Sequence, residues 1–474
     1  MSLQKANYRR QEKAMTHSTT FPAQTESFVT EMTDRMTRIA QELSTWVTTE
    51  PRTLAEIEKR TLAIMRDLST ALTMGLCNLA VPCYPEDTIP CSCGQTADYQ
   101  RMRPAHVDTV LGTITITRPY YLCLSCHHGQ APLDHQMGFC AGGISAGLDE
   151  ILALMGSRAP FEEATDVLQR LTLVNISPNS CKTSTETLGQ TIAAQENQAV
   201  TDAWTSKQPI LPSLPATIPD RLYVSMDGTM VHTHEDGWKE MRLGAVYTTT
   251  VAPSKKRPDH LDIRARDASY YADFADPASF GRGLWVEAYR RGVSQTKEVV
   301  TIGDGAHWIW EQVHEHFPQA IEILDWYHAT SYIWAIAHAL YGEGSDAAKA
   351  WARPPLDDLW DGKTDVVVAQ LQGYVSHPAA GDAARSAITY YTNNKERMNY
   401  PAYRAKGMQV GSGCVESGCE HVLGARLKQA GMIWNVDGAR AVAKVRTRLK
   451  SGRWDETIAS RPSPQRHVYT RQAA

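Results

Sequence analysis

No stretch of this sequence is long and apolar enough to span a membrane. Its first 21 residues are polar, with Lys5, Arg9, Arg10 and Lys13 and no apolar centre, which excludes a secretory signal there. Cysteine is scarce, 10 in 474 residues, so a disulfide framework is excluded as the source of stability. Internal repeats and low-complexity tracts are missing too, which removes solenoids and disordered scaffolds. Positive charge is not in excess: a formal net charge of −4 runs against the usual balance of a nucleic-acid-binding protein. These absences lead to the expectation of a cytoplasmic protein without a membrane partner, lying with the nucleoid if it handles DNA.

What is present is enough for several cores: 42% of residues are hydrophobic and 21% charged, and the length suits roughly three domains. Charge is unevenly spread. Residues 426–471 carry Arg426, Lys428, Arg440, Lys444, Arg446, Arg448, Lys450, Arg453, Arg461, Arg466 and Arg471 against only Asp437, Asp455 and Glu456. Such a basic arm behind an acidic body is expected to hold phosphate.

Apolar residues of 25–74 (Phe28, Met32, Met36, Ile39, Leu43, then Leu54, Ile57, Leu62, Ile64) recur at helical spacing and break around Pro51, which predicts two helices. Residues 99–122 alternate and are rich in Thr, Ile, Val and Tyr on either side of Leu111-Gly112, the pattern of a β-hairpin. Helical periodicity returns at 144–154, 161–171 and 180–198, and the Pro-rich run 208–219 reads as a linker. Three strands follow (221–230, 241–250, 260–265), then helix, strand, helix, strand (280–291, 298–303, 307–316, 320–326), the order of an RNase H-like core. Residues 330–406 read as wholly helical, with a last helix near Ser412. The expected fold is therefore multidomain α+β. It has a helical N-terminal region (1–84), a zinc ribbon (85–140) and a helical, helix-turn-helix-like segment (141–205). The first part of an RNase H-like α/β catalytic core (206–330), a helical insertion (331–405), and the last helix of the core with the basic tail (406–474) complete it.

Cys91-Ser92-Cys93 and Cys123-Leu124-Ser125-Cys126 bracket the hairpin, so folding it brings four thiols to one end, where tetrahedral zinc takes soft ligands. Either His127 or His128 can stand in for one cysteine, and four small buried residues without metal are the plain alternative. With four protein ligands the site is structural. Cys77, Cys83, Cys140, Cys181, Cys414 and Cys419 read as ordinary core or surface residues. In the helix-turn-helix-like segment, Lys182, Ser184 and Thr185 are the expected contacts to DNA, a helical hairpin that merely packs being the rival reading.

Two apolar strands each deliver an aspartate just before a glycine: Asp227-Gly228 after Arg221-Leu-Tyr-Val-Ser-Met, and Asp304-Gly305 after Val299-Val-Thr-Ile-Gly. Each alone is also a turn signal. On neighbouring strands of one sheet the pair reaches a single hard divalent ion. Glu416, just past Gly411-Ser412-Gly413, supplies a third carboxylate in the first turn of a helix, with Glu420 as its rival one turn on. Two magnesium or manganese ions on such a trio suit strand cleavage and strand transfer.

Asp227-Gly228, Gly237-Trp238-Lys239-Glu240, Gly303-Asp304-Gly305-Ala306-His307-Trp308-Ile309-Trp310, Ile323-Leu324-Asp325-Trp326-Tyr327-His328-Ala329, Gly411-Ser412-Gly413 before Glu416, Arg426-Leu427-Lys428-Gln429 and Gly431-Met432 together resemble bacterial insertion-sequence transposases of the ISKra type. The resemblance runs from about residue 90 to 454 and includes the Cys-x-Cys pair, Tyr120-Tyr121 and Pro132-Leu133-Asp134. It implies a DDE enzyme with an upstream zinc ribbon, related to Mutator-like and hAT-like transposases, in which Asp227, Asp304 and Glu416 are the metal ligands and residues 330–406 are a helical insertion. It also implies an accessory role for Asp325 and His328, steadying the site or contacting the DNA end, where a packed Asp-His hydrogen bond is the plain alternative. Of the aromatic residues near these motifs, Trp308, Trp310 and Trp326 are expected in the core, and Trp434, beside the basic helix, is expected to stack on an unpaired base.

The function these readings imply is a transposase that binds the terminal repeats of its element and cuts and joins double-stranded DNA at its ends and target. It would act as a homodimer or larger assembly on DNA, with Arg426, Lys428, Trp434 and Lys182 among its DNA contacts. Two other classes compete: a zinc-containing DNA-binding regulator that has lost catalysis, and a metal-dependent phosphohydrolase of small substrates, which has no use for a ribbon or a basic arm.

Overall fold

The computed structural model describes residues 23–81, 86–140, 142–205, 210–253 and 261–461. The basic start with Lys5, Arg9, Arg10 and Lys13, Cys83, residues 208–209 of the linker, residue 260, and Arg466 and Arg471 of the tail lie outside them. The chain is a mixed α/β protein with two mixed sheets. It divides into two units that interleave along the sequence: the residues up to Ile151 together with Thr165–Ser180, and Leu152–Ala164 together with Cys181–Arg461.

In the first unit the helical spacing becomes two long helices, Ala23–Thr49 and Leu54–Leu79. Pro51 falls in the break, and Thr53 caps the second helix through a reciprocal pair with Glu56. Strands β1 (Thr88–Pro90), β2 (Thr96–Thr109), β3 (Gly112–Leu122), β4 (Gly129–Gln130), β5 (Phe139–Cys140) and β6 (Ile144–Ser145) form a sheet of order β4-β3-β2-β6-β5, with β1 also paired to β2. The β2–β3 hairpin closes through Thr109 opposite Gly112 and buries Val107, Ile114 and Ile116 against Leu133. The strands of two or three residues escaped the sequence reading because so short a segment carries no periodicity.

The second unit is built on β7 (Arg221–Thr233), β8 (Gly237–Pro253), β9 (Leu261–Asp273), β10 (Glu298–Gly303) and β11 (Ile321–Leu324), in the order β11-β10-β7-β8-β9. β7, β8 and β9 are antiparallel neighbours, whereas β10 runs parallel to both β7 and β11. Leu222 to Met226 are all buried, as in a central strand covered on both faces. β9 runs eight residues past the expected end at 265; a register shift and the positive φ of Asp267 interrupt its alternation, which hid the continuation from a period-2 reading. Helices Pro277–Arg290 and His307–His316 connect the strands, and five further helices, Trp326–Tyr341, Asp346–Trp360, Thr364–Gln372, Gly381–Asn394 and Tyr400–Ala405, occupy the long segment after β11. Helix Gly413–Gly418 runs directly into a π-helical turn, Cys419–Gly424, and the long helix Val436–Lys450 follows.

Candidate active site

Parallel pairing sets the site. Ser225 is opposite Ile302 and Gly303 is opposite Leu324. Counting on along these registers, Asp227 is level with Asp304, and Asp304 with Asp325. Three aspartates thus stand in one row across neighbouring parallel strands about 4.8 Å apart, at the carboxyl ends of β10 and β11, where open α/β sheets bind their ligands.

Each member is held differently. Asp227 accepts the Gly228 N–H at 2.7 Å and is touched by the Cys419 thiol. Burial raises its carboxyl above the ordinary value, the charges of Asp304 and Glu416 add to the rise, and the Gly228 and Cys419 donors offset only part of it. Asp304 accepts the Ala306 N–H at 2.8 Å, and its carbonyl accepts the Tyr390 hydroxyl at 2.6 Å. Gly305 is obligatory beside it: its φ is +99°, and a Cβ there would meet the Tyr390 ring at 2.7 Å. The Asp-Gly pair that read equally well as a turn is here the tight exit of a strand.

Glu416 comes from helix Gly413–Gly418. Its carboxylate is hydrogen-bonded by the Ser412 hydroxyl, and its charge is felt at both Asp227 and His328. Glu420 is not among the main charges acting on either, so of the two rivals it is Glu416 that faces the row. Gly418 lets this helix lie on the sheet, since a Cβ would sit 2.7 Å from Leu243.

Asp325 is wholly buried and accepts three hydrogen bonds: Oδ1 accepts the Ser412 N–H at 2.6 Å, while Oδ2 accepts the His328 N–H at 2.7 Å and His328 Nδ1 at 2.9 Å. It caps helix Trp326–Tyr341, orients the imidazole and ties down the loop that leads to Glu416. The Asp325 hydrogen bond raises His328 to about 9, burial opposing and the charges of Asp325, Asp304 and Glu416 assisting. Ligand atoms of Asp325, His328 and Glu416 lie within 4.8 Å of one another. Asp227 and Asp304 are not in that group: they share the row with Asp325 by strand register, and their link to Glu416 is the charge felt at Asp227. Carboxylates are the donor type a hard divalent cation takes, and such an ion would offset both the burial and the neighbouring charge that raise Asp227.

Beside Asp304 lies a cavity of about 540 Å³ lined by Gly305, His307, Trp310, Tyr332, Tyr390 and Arg397, among others, with Tyr332 stacked on Tyr390 at 4.1 Å. The sequence reading missed Ser412, Cys419 and Tyr390. For Cys419 a signal existed, the three-residue step from Glu416 that puts both on one helical face; nothing local marks Tyr390.

The residues expected to meet DNA part company. Lys428 is exposed and donates to Thr229 at 2.9 Å, and Lys182 is half-buried, 4.0 Å from Glu186. Arg426 is only 1% exposed; its guanidinium donates to the Gly156 carbonyl and lies between the rings of Phe161 and Trp434. Trp434 is buried as well and gives its indole N–H to the Leu427 carbonyl, so neither residue offers its polar group to a ligand from outside. Ser184 and Thr185 are buried too, Thr185 donating to the Cys181 carbonyl. Trp310 is buried, and Trp308 and Trp326 pack against the same core.

The basic arm is likewise turned inward. Lys444 pairs with Glu196 and Asp273 at 2.8 Å each, Arg448 with Glu196 at 3.1 Å, Arg440 with Asp273 and Asp437, and Arg453 with Glu287. Arg446 donates to the carbonyls of Ser157, His421 and Val422. Much of a run that counts as basic along the sequence is a set of internal partners in the fold, and, Asp437 apart, the acids that neutralise it come from distant segments.

In the first unit Cys91, Cys93, Cys123 and Cys126 form one group, with Cys91–Cys126 and Cys93–Cys123 sulfur distances of 3.6 Å. A tetrahedron with metal–sulfur bonds of about 2.3 Å has edges of roughly 3.8 Å. Backbone N–H groups of Cys126 and Ser125 favour the Cys123 thiolate, lowering it to about 6. Cys126, although favoured by the His128 N–H, is pushed up to about 12 by the other three sulfurs and burial. One soft cation held by the four sulfurs would relieve this opposition. Neither His127 nor His128 joins the group.

A mixed α/β chain with an acidic row at the ends of its parallel strands and a four-cysteine group is thus defined. It belongs to the uncharacterised protein family UPF0236, whose model matches residues 95–458, more than three quarters of the chain. No curated protein matches it.

Proposed function

We propose that this chain is a DNA transposase of the DDE class, which binds the terminal repeats of its element and cleaves and rejoins DNA strands. The observation that carries the reading is the level row of Asp227 and Asp304 on adjacent parallel strands, completed by Glu416 from a later helix. The strand order β9-β8-β7-β10-β11, three antiparallel strands with two parallel ones added beside the first, supports an RNase H-like core. The helices between β11 and Glu416 support the reading of residues 330–406 as an insertion.

In this reading Asp227, Asp304 and Glu416 hold two magnesium or manganese ions, which when bound activate a water or 3′-hydroxyl and stabilise the leaving oxygen. The protein's own groups keep the geometry. Asp325 fixes His328 and the Ser412 backbone, Ser412 orients Glu416, and the Cys419 thiol and the Gly228 N–H steady Asp227. Exposed Lys428 beside Thr229 is the cation best placed to meet a phosphate at this rim. The four cysteines hold structural zinc.

The test is to incubate the purified protein with DNA flanking its own gene, with magnesium or manganese, and map every break and joint. Metal-dependent breaks at inverted-repeat ends are expected. Binding at those repeats without breaks, across both metals, would favour the regulator, and hydrolysis of a small phosphate ester without DNA would favour the phosphohydrolase.

A further inference from the structure

The two N-terminal helices are 27 and 26 residues long, yet among their described residues only Leu68 is buried. Helices of this length draw their stability from a buried apolar face, and a pair that buries so little is incomplete. They run antiparallel: Phe28 meets Gly75, and Arg60 lies over the ring of Trp46. From Phe28 on, the partly buried positions of the first helix, Phe28, Met32, Arg35, Ile39, Leu43 and Trp46, follow a three-and-four spacing toward the second. A separate stripe is left open. On the first helix it is Val29, Met36 and Val47, 54%, 52% and 41% exposed; on the second it is Leu62, Met65, Leu72 and Leu76, 51%, 41%, 40% and 53% exposed.

At about 100° per residue both stripes are turned by roughly 80 to 90° in the same sense from the seam between the helices. In an antiparallel pair, equal rotations of the same sense bring the stripes to the same side, so the hairpin carries one continuous apolar face. Leu62, Met65, Leu72 and Leu76 repeat at three-, seven- and four-residue steps, the spacing that packs helix on helix. Over roughly 35 Å of length and 20 Å of width this face offers about 700 Å² per partner, close to the about 800 Å² of a stable complex.

We infer that this face pairs with its counterpart in a second copy of the chain, closing a four-helix bundle about a two-fold axis. A self-complementary surface fits the observation that both stripes belong to one hairpin, since a two-fold axis presents the same patch to itself. The inference does not depend on the chemistry at Asp227.

The experiment is light scattering on the full chain across concentration. Twice the chain mass of 52.6 kDa is expected for the wild type, and the single mass for Leu72→Glu/Leu76→Glu. Both positions are exposed in the single chain, so the monomer should keep its helices, which circular dichroism checks; if that variant fails to fold, Met36→Glu on the other helix serves in its place. A shift in dimer dissociation of about 100-fold or more is expected for either variant. A wild type that is monomeric at tens of micromolar, or a dimer that survives both sets of substitutions, would overturn the inference. So would a monomer whose face is covered by another segment of its own chain, seen as unchanged mass with protection of Leu72 and Leu76 from hydrogen exchange.

Discussion

Glu416 and Glu420 stand one turn apart on the same stretch, and the fold separates their roles. Replacing Glu416 by Gln is expected to abolish strand cleavage, and replacing Glu420 by Gln to leave it within a factor of about two, measured on the same DNA. Equal losses would contradict the placement. Asp325 is proposed as a positioning residue, since its carboxylate holds His328 and the Ser412 loop. Asp325→Asn keeps the shape and loses a charge-assisted bond, so kcat is expected to fall by about 10- to 100-fold while the manganese stoichiometry is preserved. The shared row of Asp227 and Asp304 was legible because each follows an apolar strand segment, although only Asp304 stands at a strand end and β7 runs on past Asp227 to Thr233. Arg426 and Trp434 were misread because a basic residue beside an aromatic looks alike in sequence whether it greets a phosphate or the protein's own carbonyls.

At the scale of elements, helix Val436–Lys450 shows why composition along the chain misleads. Its cations are neutralised by Glu196 from one helix and Asp273 from the end of β9, both far away in sequence. Removing Lys444 takes away the buried cation that bridges those two acids, leaving Asp273 to Arg440 and Glu196 to Arg448, so Lys444→Met is expected to cost about 3 kcal/mol in urea unfolding. Burial alone would raise Asp273, but Lys444 and Arg440 outweigh it and hold its carboxyl below the usual range. Its contribution to stability is therefore present above the ordinary carboxylate value of about 4 and lost as pH falls through the lowered one. The gap in urea midpoint between wild type and Asp273→Asn should be wide at neutral pH and narrow in acid; a gap independent of pH would count against the pairing. The strands and helices of the central sheet were readable from periodicity, whereas the two-residue strands of the other sheet and the continuation of β9 past Asp267 depend on partners distant in the chain.

For the whole molecule, two interleaved units predict separable responses to metal removal. The four-cysteine group lies entirely in the first unit and the carboxylate row entirely in the second. Cys93→Ser or a strong chelator is expected to release about one zinc per chain and to expose residues 86–140 to protease, leaving the sheet of β7 to β11 resistant. A metal-free wild type with an equally protected hairpin would contradict the zinc reading. The long-range architecture was the least legible part of the sequence, because the interleaving of the units is decided by contacts that no local pattern records.

Strand cleavage, in the function proposed for this chain, is driven by an ion that Asp304 binds. The most direct measurement is cleavage of DNA flanking the gene by Asp304→Cys, with magnesium and with manganese in parallel. A thiolate ligates manganese far better than magnesium. No cleavage by the variant is expected in magnesium, and partial recovery is expected in manganese, at the same positions the wild type cuts. Wild-type cleavage by the variant in both metals would contradict the role of Asp304.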